Sequence, residues 1–374
     1  MNKNNCKKEI LVVGAGISGC VIAERYANIG KKVLVLEKRN HIGGNCYDFV
    51  NKKSIRISKY GAHLFHTNDK EVWDYVQQFS KWYPYEHKVF SKVVNKLVPV
   101  PVNITTINEL FNLKINTQQE AIDWFKNETK HFVFPKNSEE SSLSRVGLRL
   151  YELMFKHYTK KQWDLWPIEL EASVMDRIPV RTNYDNRYFT DKYQYLPENG
   201  YTSLFENMLN NPNITVELGV DYLESKYVDH SFEKLYFTGP IDKYFSNKFK
   251  KLQYRSIDFQ FENFKKDFYQ KNSVINYPNT NNFTRIVEYK YFAKNPNKIG
   301  PHTTISKEYS KWGGEPYYPV PTKKNRIIYD KYRKEAKKIE KENIFFVGRL
   351  ANYKYFNMDE AFKNALNIFK KGNH

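Results

Sequence analysis

The sequence predicts an α/β protein: one Rossmann-like parallel-sheet domain, interrupted first by a helical insertion and then by an antiparallel-sheet insertion. Three observations predict it. The apolar run Ile10–Val13 breaks into Gly14-Ala15-Gly16-Ile17-Ser18-Gly19, followed by a helical pattern and a second apolar run, Val33–Leu36. Residues 104–157 have mostly helical spacing, whereas from about residue 212 short β-rich runs alternate. The chain then closes on a further apolar run, Ile344–Val347, which ends in Gly348 and leads into a last helical pattern.

Each element follows from its residues. A short, continuously apolar run that stops at glycine is the pattern of a strand buried on both faces. Val21, Ile22 and Ala23 begin a helix that runs to Asn28, and Gly30 marks its end. With Val33–Leu36 as the next strand, this is a βαβ opening. A polar segment with Gly43 and Gly44 runs to Lys59, and residues 71–79 have helical spacing. Residues 93–98 read as a tight hairpin turning at Asn95-Lys96. Leu143, Val146, Leu150, Leu153 and Met154 recur at steps of three and four, which predicts one helix with one buried face. Strands are expected at 214–218, 235–238, 256–261, 274–276, 284–288 and 303–309, and a final helix at 359–370.

Composition bounds the class. The chain has 374 residues, 41% hydrophobic and 27% charged, a globular profile long enough for two or three subdomains. No apolar run reaches the length of a membrane span, and the first residues carry no secretory pattern, so the cytoplasm is the expected compartment. Cys6, Cys20 and Cys46 match neither a disulfide framework nor a zinc spacing, and no metal site is expected. The net charge of +19 favours anionic partners. The charge is spread along the chain in a composition rich in Lys, Asn, Ile, Phe and Tyr. With no basic helix, zinc motif or aromatic RNA signature, a nucleic-acid partner is not expected. An anionic small substrate is.

The glycine loop carries the first chemistry. Glycines at 14, 16 and 19 allow a tight turn and close approach of backbone N–H groups to a pyrophosphate, at the positive end of the following helix. Ser18 lies within the same loop. Glu37 stands 21 residues after Gly16, at the end of the second strand, where an acid accepts hydrogen bonds from a ribose hydroxyl. Arg39, Gly43, Gly44 and Asn45 follow closely, as if the chain continued along the same ligand, and Gly348-Arg349 returns at the C-terminal end. Both features favour FAD over a nicotinamide dinucleotide. The expected divisions are 1–75 (first part of the FAD-binding domain), 76–180 (mostly helical), 181–235 (return to the FAD domain and start of the sheet insertion), 236–325 (antiparallel sheet) and 326–374 (closing strand and helix).

Several longer segments are more specific. EKRNHIGGN (37–45), KYGAHLFHTND (59–69), YTKKQW (158–163), RIPVR (177–181), DNRYF (185–189), TGPID (238–242), EPYYPV (315–320) and GRLANYKYFNM (348–358) occur in an order that resembles the bacterial UDP-galactopyranose mutase family. The resemblance spans nearly the whole chain. It implies a flavoenzyme that interconverts UDP-galactopyranose and UDP-galactofuranose, or the 2-acetamido analogues. It implies reduced FAD, a flavin N5–sugar adduct and no net redox change. It also implies a UDP-sugar partner, a role in cell-surface polysaccharide synthesis, and a homodimer as the assembly to test.

The same resemblance assigns residues. Arg177 and Arg285 fall at the positions of two arginines that hold the pyrophosphate, a task suited to the forked guanidinium. Tyr158, Trp163, Tyr188, Tyr318 and Tyr355 fall where the family lines its nucleotide and phosphate pocket, Tyr318 being preferred to Tyr317 by its spacing from the arginine. His63 is implied beside the flavin and His66 beside the sugar, while Arg349 matches a flavin-contacting arginine. Asn357 stands where the family usually has Asp, so a carboxylate is missing near the flavin and sugar. Residues 81–90 match only loosely. Two other readings are weighed. A flavin oxidoreductase of the amine or protoporphyrinogen oxidase type shares the glycine loop but not the later motifs. A nucleic-acid-binding protein rests on charge alone.

Overall fold

The computed structural model describes residues 9–373. Cys6 lies outside them. A five-stranded sheet runs in the order Ile214–Leu218, Lys32–Glu37, Glu9–Val13, Lys234–Phe237, Ile344–Phe346, with every neighbour parallel. Successive side chains on a strand point to opposite faces. Ile10 and Val12 accordingly join Tyr26, Phe362, Ala365 and Leu366 from helices Ile17–Asn28 and Met358–Gly372. Leu11 instead joins Leu34, Leu36, Leu235, Phe237 and Tyr222 on the other side. Both faces are covered, which is why these strands read as unbroken apolar runs. The sheet draws its strands from three separated stretches of chain. The division expected at 235/236 passes through strand Lys234–Phe237, which belongs wholly to this sheet.

A second sheet has seven strands in the order Tyr318–Pro319, Tyr254–Phe264, Thr303–Trp312, Arg285–Glu288, Val274–Asn276, Val89–Val93, Lys96–Val100. It is antiparallel except where Val274–Asn276 meets Val89–Val93 in parallel, so the insertion is a mixed sheet rather than a wholly antiparallel one. Its edge hairpin, expected within the helical part, turns at Val94-Asn95 and not at Asn95-Lys96. Both turn residues have positive φ, 45° and 64°. A two-residue turn of that hand matches the strand twist, and it centres on the pair that leaves Val93 and Lys96 opposite each other.

The helical insertion contains Ile104–Phe111, Gln118–Glu128 and Ser138–Arg145, then a rod from Gly147 to Trp163 with a π-helical segment at Tyr151–Phe155. The single helix expected through 143–154 is thus broken at Gly147. Its φ is +77°, and a Cβ there would stand 2.4 Å from the Glu128 carbonyl oxygen. The apolar spacing survives the break: Leu143, Val146, Leu150 and Met154 all enter one core with Val89, Val98, Val100 and Val287 of the mixed sheet. A small sheet of Phe65–Thr67, Tyr193–Pro197 and Trp82–Pro84 links the parts and carries His66. Among the described residues no helix is long and apolar enough to cross a membrane.

Candidate active site

The helical rod, the mixed sheet and the C-terminal segment enclose a cavity of about 660 Å³. The π-helical turn ends just before Lys156–Trp163, the helix that brings Tyr158 and Trp163 to one wall. Such bulges shift the register of a helix face and are frequent at functional sites. Trp163 is 4% exposed and stands 6.3 Å from Tyr318, ring centre to ring centre. The Tyr158 hydroxyl lies 3.4 Å from Asn276 Oδ1 at the end of a facing strand.

Four arginines line this cavity; Arg326 is ion-paired with Glu171 at 2.8 Å, and Arg177, Arg285 and Arg349 meet from distant parts of the sequence. Arg177 follows the short helix Ser173–Asp176, and its guanidinium carbon lies 4.6 Å from the centre of the Tyr355 ring. Arg349, after the last strand of the parallel sheet, lies 4.9 Å from the same ring and 5.8 Å from that of Tyr318. Tyr318 and Tyr355 stack at 5.7 Å. Arg285 opens a strand of the mixed sheet, directly opposite Glu308, with Nε 3.1 Å from Glu308 Oε2. The two atoms are close enough to attract, but Nε has no aligned hydrogen-bond acceptor.

The charges are unbalanced. Burial alone would lower the Arg285 pKa, and its surroundings, with the Glu308 carboxylate foremost among the ionised groups, hold it above the ordinary value. Burial pushes Glu308 up and Arg285 pulls it back. Burial would raise Tyr355, but Arg177, Arg349 and Arg285 outweigh it and hold its hydroxyl below the ordinary value. Tyr318, under burial and beside Tyr355, is pushed up to about 12. With Arg177, Arg285, Arg326, Arg349 and Lys354 set against Glu171, Glu308 and Glu360, the lining keeps a cationic excess and is built for an anion of more than one charge.

The histidines divide. His66 lines the cavity, stacks on Phe189 at 3.6 Å and places Nδ1 3.0 Å from Asp191 Oδ2, which holds the ring in one orientation. His63 is not on the cavity wall; its Nδ1 lies 2.8 Å from the Gly61 carbonyl oxygen. Burial, with Arg349 adding to it against that carbonyl, pushes its pKa down to about 4. Asn357 is the N-cap of helix Met358–Gly372 and lines the cavity, while its backbone N–H donates to Glu360. Tyr188 lines the cavity also. Of the adjacent tyrosines, Tyr318 faces the cavity, whereas Tyr317 is buried beside Tyr60 and Phe259. Sequence reading missed His87, Phe189, Asp191, Asn276 and Glu308. His87 sits in the loosely matching stretch 81–90, and Glu308 is one charge in an alternating strand. Neither carries a local signal.

The glycine loop lies elsewhere, at the C-terminal ends of strands Glu9–Val13 and Lys32–Glu37. Gly14 has φ +102° and donates to the Leu36 carbonyl. A Cβ on Gly19 would stand 1.8 Å from the Gly14 oxygen, so Gly19 is required for the helix to pack on the loop. Gly16 differs: a Cβ there would meet only the Gly44 Cα, at 3.7 Å. Glu37 accepts from the backbone N–H of Ala15 at 2.8 Å and of Arg39 at 2.9 Å, so it braces the loop. Arg39 donates to Asn45 and Glu315 and lies 4.4 Å over the Tyr60 ring. Gly348 returns beside the loop, where a Cβ would stand 2.7 Å from Ser18 Oγ. Gly16, Gly44 and Gly348 thus present bare backbone beside a helix N-terminus, an arrangement that fits a dinucleotide pyrophosphate.

A Rossmann-like dinucleotide domain joined to a cationic, aromatic-walled cavity defines a class: a cofactor-dependent enzyme acting on a polyanionic small molecule. Comparison with known proteins narrows it. The model of the UDP-galactopyranose mutase family matches residues 153–355, and that of the NAD(P)-binding Rossmann-like domain matches 12–79. The chain is 37% identical to a probable UDP-galactopyranose mutase of Klebsiella pneumoniae, over 96% of this chain and 93% of that one. It is 36% identical to a dTDP-fucopyranose mutase of Escherichia coli, over 96% of each. Its fold superposes on a crystal structure of reduced UDP-galactopyranose mutase with a TM-score of 0.78, at 17% identity and covering 97% of this chain and 95% of that one. The chain belongs to the UDP-galactopyranose mutase family and is an isomerase of nucleotide sugars, with a flavin as the cofactor that the family and the domain imply.

Proposed function

We propose that this protein uses reduced FAD to interconvert the pyranose and furanose forms of UDP-galactose. The observation that carries the reading is the meeting of Arg177, Arg285 and Arg349 around the stacked pair Tyr318 and Tyr355. Bound in its reduced form, the flavin supplies a nucleophile for the anomeric carbon without net electron transfer.

The protein's own groups do the rest. Arg177 and Arg285 grip the diphosphate and stabilise the charge that grows on it as the sugar–phosphate bond breaks. Arg349 joins this cavity to the glycine-lined cleft. Tyr318 and Tyr355 donate hydroxyl protons to phosphate oxygens, and Tyr158 and Trp163 flank the base. His66, oriented by Asp191, offers its other nitrogen to the sugar. The N-terminus of helix Met358–Gly372 adds positive potential, which Asn357, unlike an aspartate, does not cancel.

The Escherichia coli relative, named for dTDP-fucopyranose, is as similar as the Klebsiella one, so the test must span both sugars. Dithionite-reduced protein is incubated with UDP-galactofuranose, UDP-N-acetylgalactosamine and dTDP-fucose, and the products are separated and weighed. Ring interconversion of UDP-galactose without consumption of oxygen or any electron acceptor is expected, with no turnover by the oxidised protein. Turnover coupled to oxygen uptake would overturn the isomerase chemistry, and selective turnover of dTDP-fucose would replace the sugar.

A further inference from the structure

His87 is 4% exposed and lines the cavity, yet its ring makes no hydrogen bond to any described residue, and Nδ1 is wholly buried without a partner. Buried polar atoms are nearly always paired, and an orphan in a binding cavity calls for an explanation. The ring is held in place by its surroundings. The His87 carbonyl accepts from the Tyr188 N–H at 2.7 Å, and the imidazole lies about 6 Å from Tyr85, Tyr188 and Phe189. His66 stacks on the same Phe189, at 3.6 Å. Burial, with Arg285 and His66 adding to it, pushes the His87 pKa down to about 3, so the ring is neutral at physiological pH.

A neutral imidazole offers one donor and one acceptor and no charge. It is a poor partner for a diphosphate, which the three arginines already serve. A sugar hydroxyl both donates and accepts, so it matches Nε2, the ring nitrogen that is not sealed off, in either tautomer. We propose that His87 is a specificity-determining residue that hydrogen-bonds a hydroxyl of the substrate's sugar. This rests on the nucleotide-sugar reading above, but it concerns binding and is separable from turnover.

The test is calorimetric titration of flavin-loaded protein with UDP and with UDP-galactose, and in parallel with dTDP and dTDP-fucose. Wild type is compared with His87→Leu and His87→Gln, with flavin content as the control for folding. His87→Leu should bind the bare nucleotides as wild type does and lose about ten-fold in affinity for the preferred nucleotide sugar. His87→Gln, which keeps a donor and an acceptor, should recover part of that loss. Equal weakening of nucleotide and nucleotide sugar would make His87 a packing residue and overturn the proposal. So would an unchanged sugar affinity, or a wild type for which neither sugar alters affinity. A sugar-specific loss in a protein that interconverts no ring forms would leave the contact standing and remove the mutase reading. Turnover by wild type with no sugar-specific loss in His87→Leu would do the reverse.

Discussion

Arg285 and Glu308 face each other across neighbouring strands, 3.1 Å apart, and the guanidinium edge left over is turned to the cavity. Glu308 is 4% exposed, so the pair is set inside the wall. A carboxylate in that position anchors the arginine and keeps it charged. Arg285→Ala is expected to lower kcat/KM by about 10²–10³-fold, the scale of removing one charged donor from a developing anion. Flavin absorbance per mole of protein should stay as in wild type. Retained turnover in Arg285→Ala would take this residue out of the reaction.

Tyr355 is a platform between two cations as well as a hydroxyl donor. Tyr355→Phe keeps the platform and should lose about ten-fold in kcat/KM, through one hydrogen bond. Tyr355→Ala should lose more, because Arg177 and Arg349 each give up a cation–π contact of about 0.5–1 kcal/mol and their placement with it. Steady-state kinetics on the two variants decide: equal losses would mean that the ring positions neither arginine.

The loop glycines separate by what stands against them. Gly16→Ala meets nothing closer than 3.7 Å and has an ordinary φ of −83°. It is expected to fold with an unchanged thermal midpoint in the absence of flavin, and to be isolated without flavin, because the added methyl occupies the space of the pyrophosphate. Gly19→Ala places a methyl 1.8 Å from a backbone oxygen and should fail to fold. A flavin-loaded Gly16→Ala protein would show that the pyrophosphate lies elsewhere.

Acid stability should report the buried imidazoles. Burial pushes His63 down to about 4 and His87 down to about 3, whereas an unfolded histidine takes up its proton near pH ~6.5. Between those values the unfolded state binds protons that the folded state refuses, so stability is full above about pH 6.5 and falls as the pH is lowered towards 4. Thermal midpoints measured across this interval should decline, and His87→Gln should flatten the decline. A slope identical to wild type would mean that His87 is protonated in the folded protein.

Much of the fold is legible in residue order alone. The unbroken apolar runs Ile10–Val13, Val33–Leu36 and Ile344–Val347 can be buried only between two covering layers, and that forces them into a parallel sheet. The turn falls at Val94-Asn95 because the strand register sets Val93 opposite Lys96, and the break at Gly147 is settled by the Glu128 carbonyl, a partner nineteen residues away that helical periodicity does not reveal. Long motifs pointed to Arg177, Arg285, Tyr158, Trp163, Tyr188, Tyr318, Tyr355 and Asn357, all of which line one cavity. His87, Asp191 and Glu308 stand in no motif of their own.

By itself the sequence determined the layered α/β architecture and the glycine loop, because those depend on local periodicity and on backbone freedom at single residues. It also held the kinship, in motifs spread over the chain. Only the tertiary structure decided which charges meet. Arg177, Arg285 and Arg349 lie more than sixty residues apart from one another in the chain, and their shared field depends on how two insertions fold back over one sheet. Electrostatic attraction falls with distance through space and takes no account of distance along the chain.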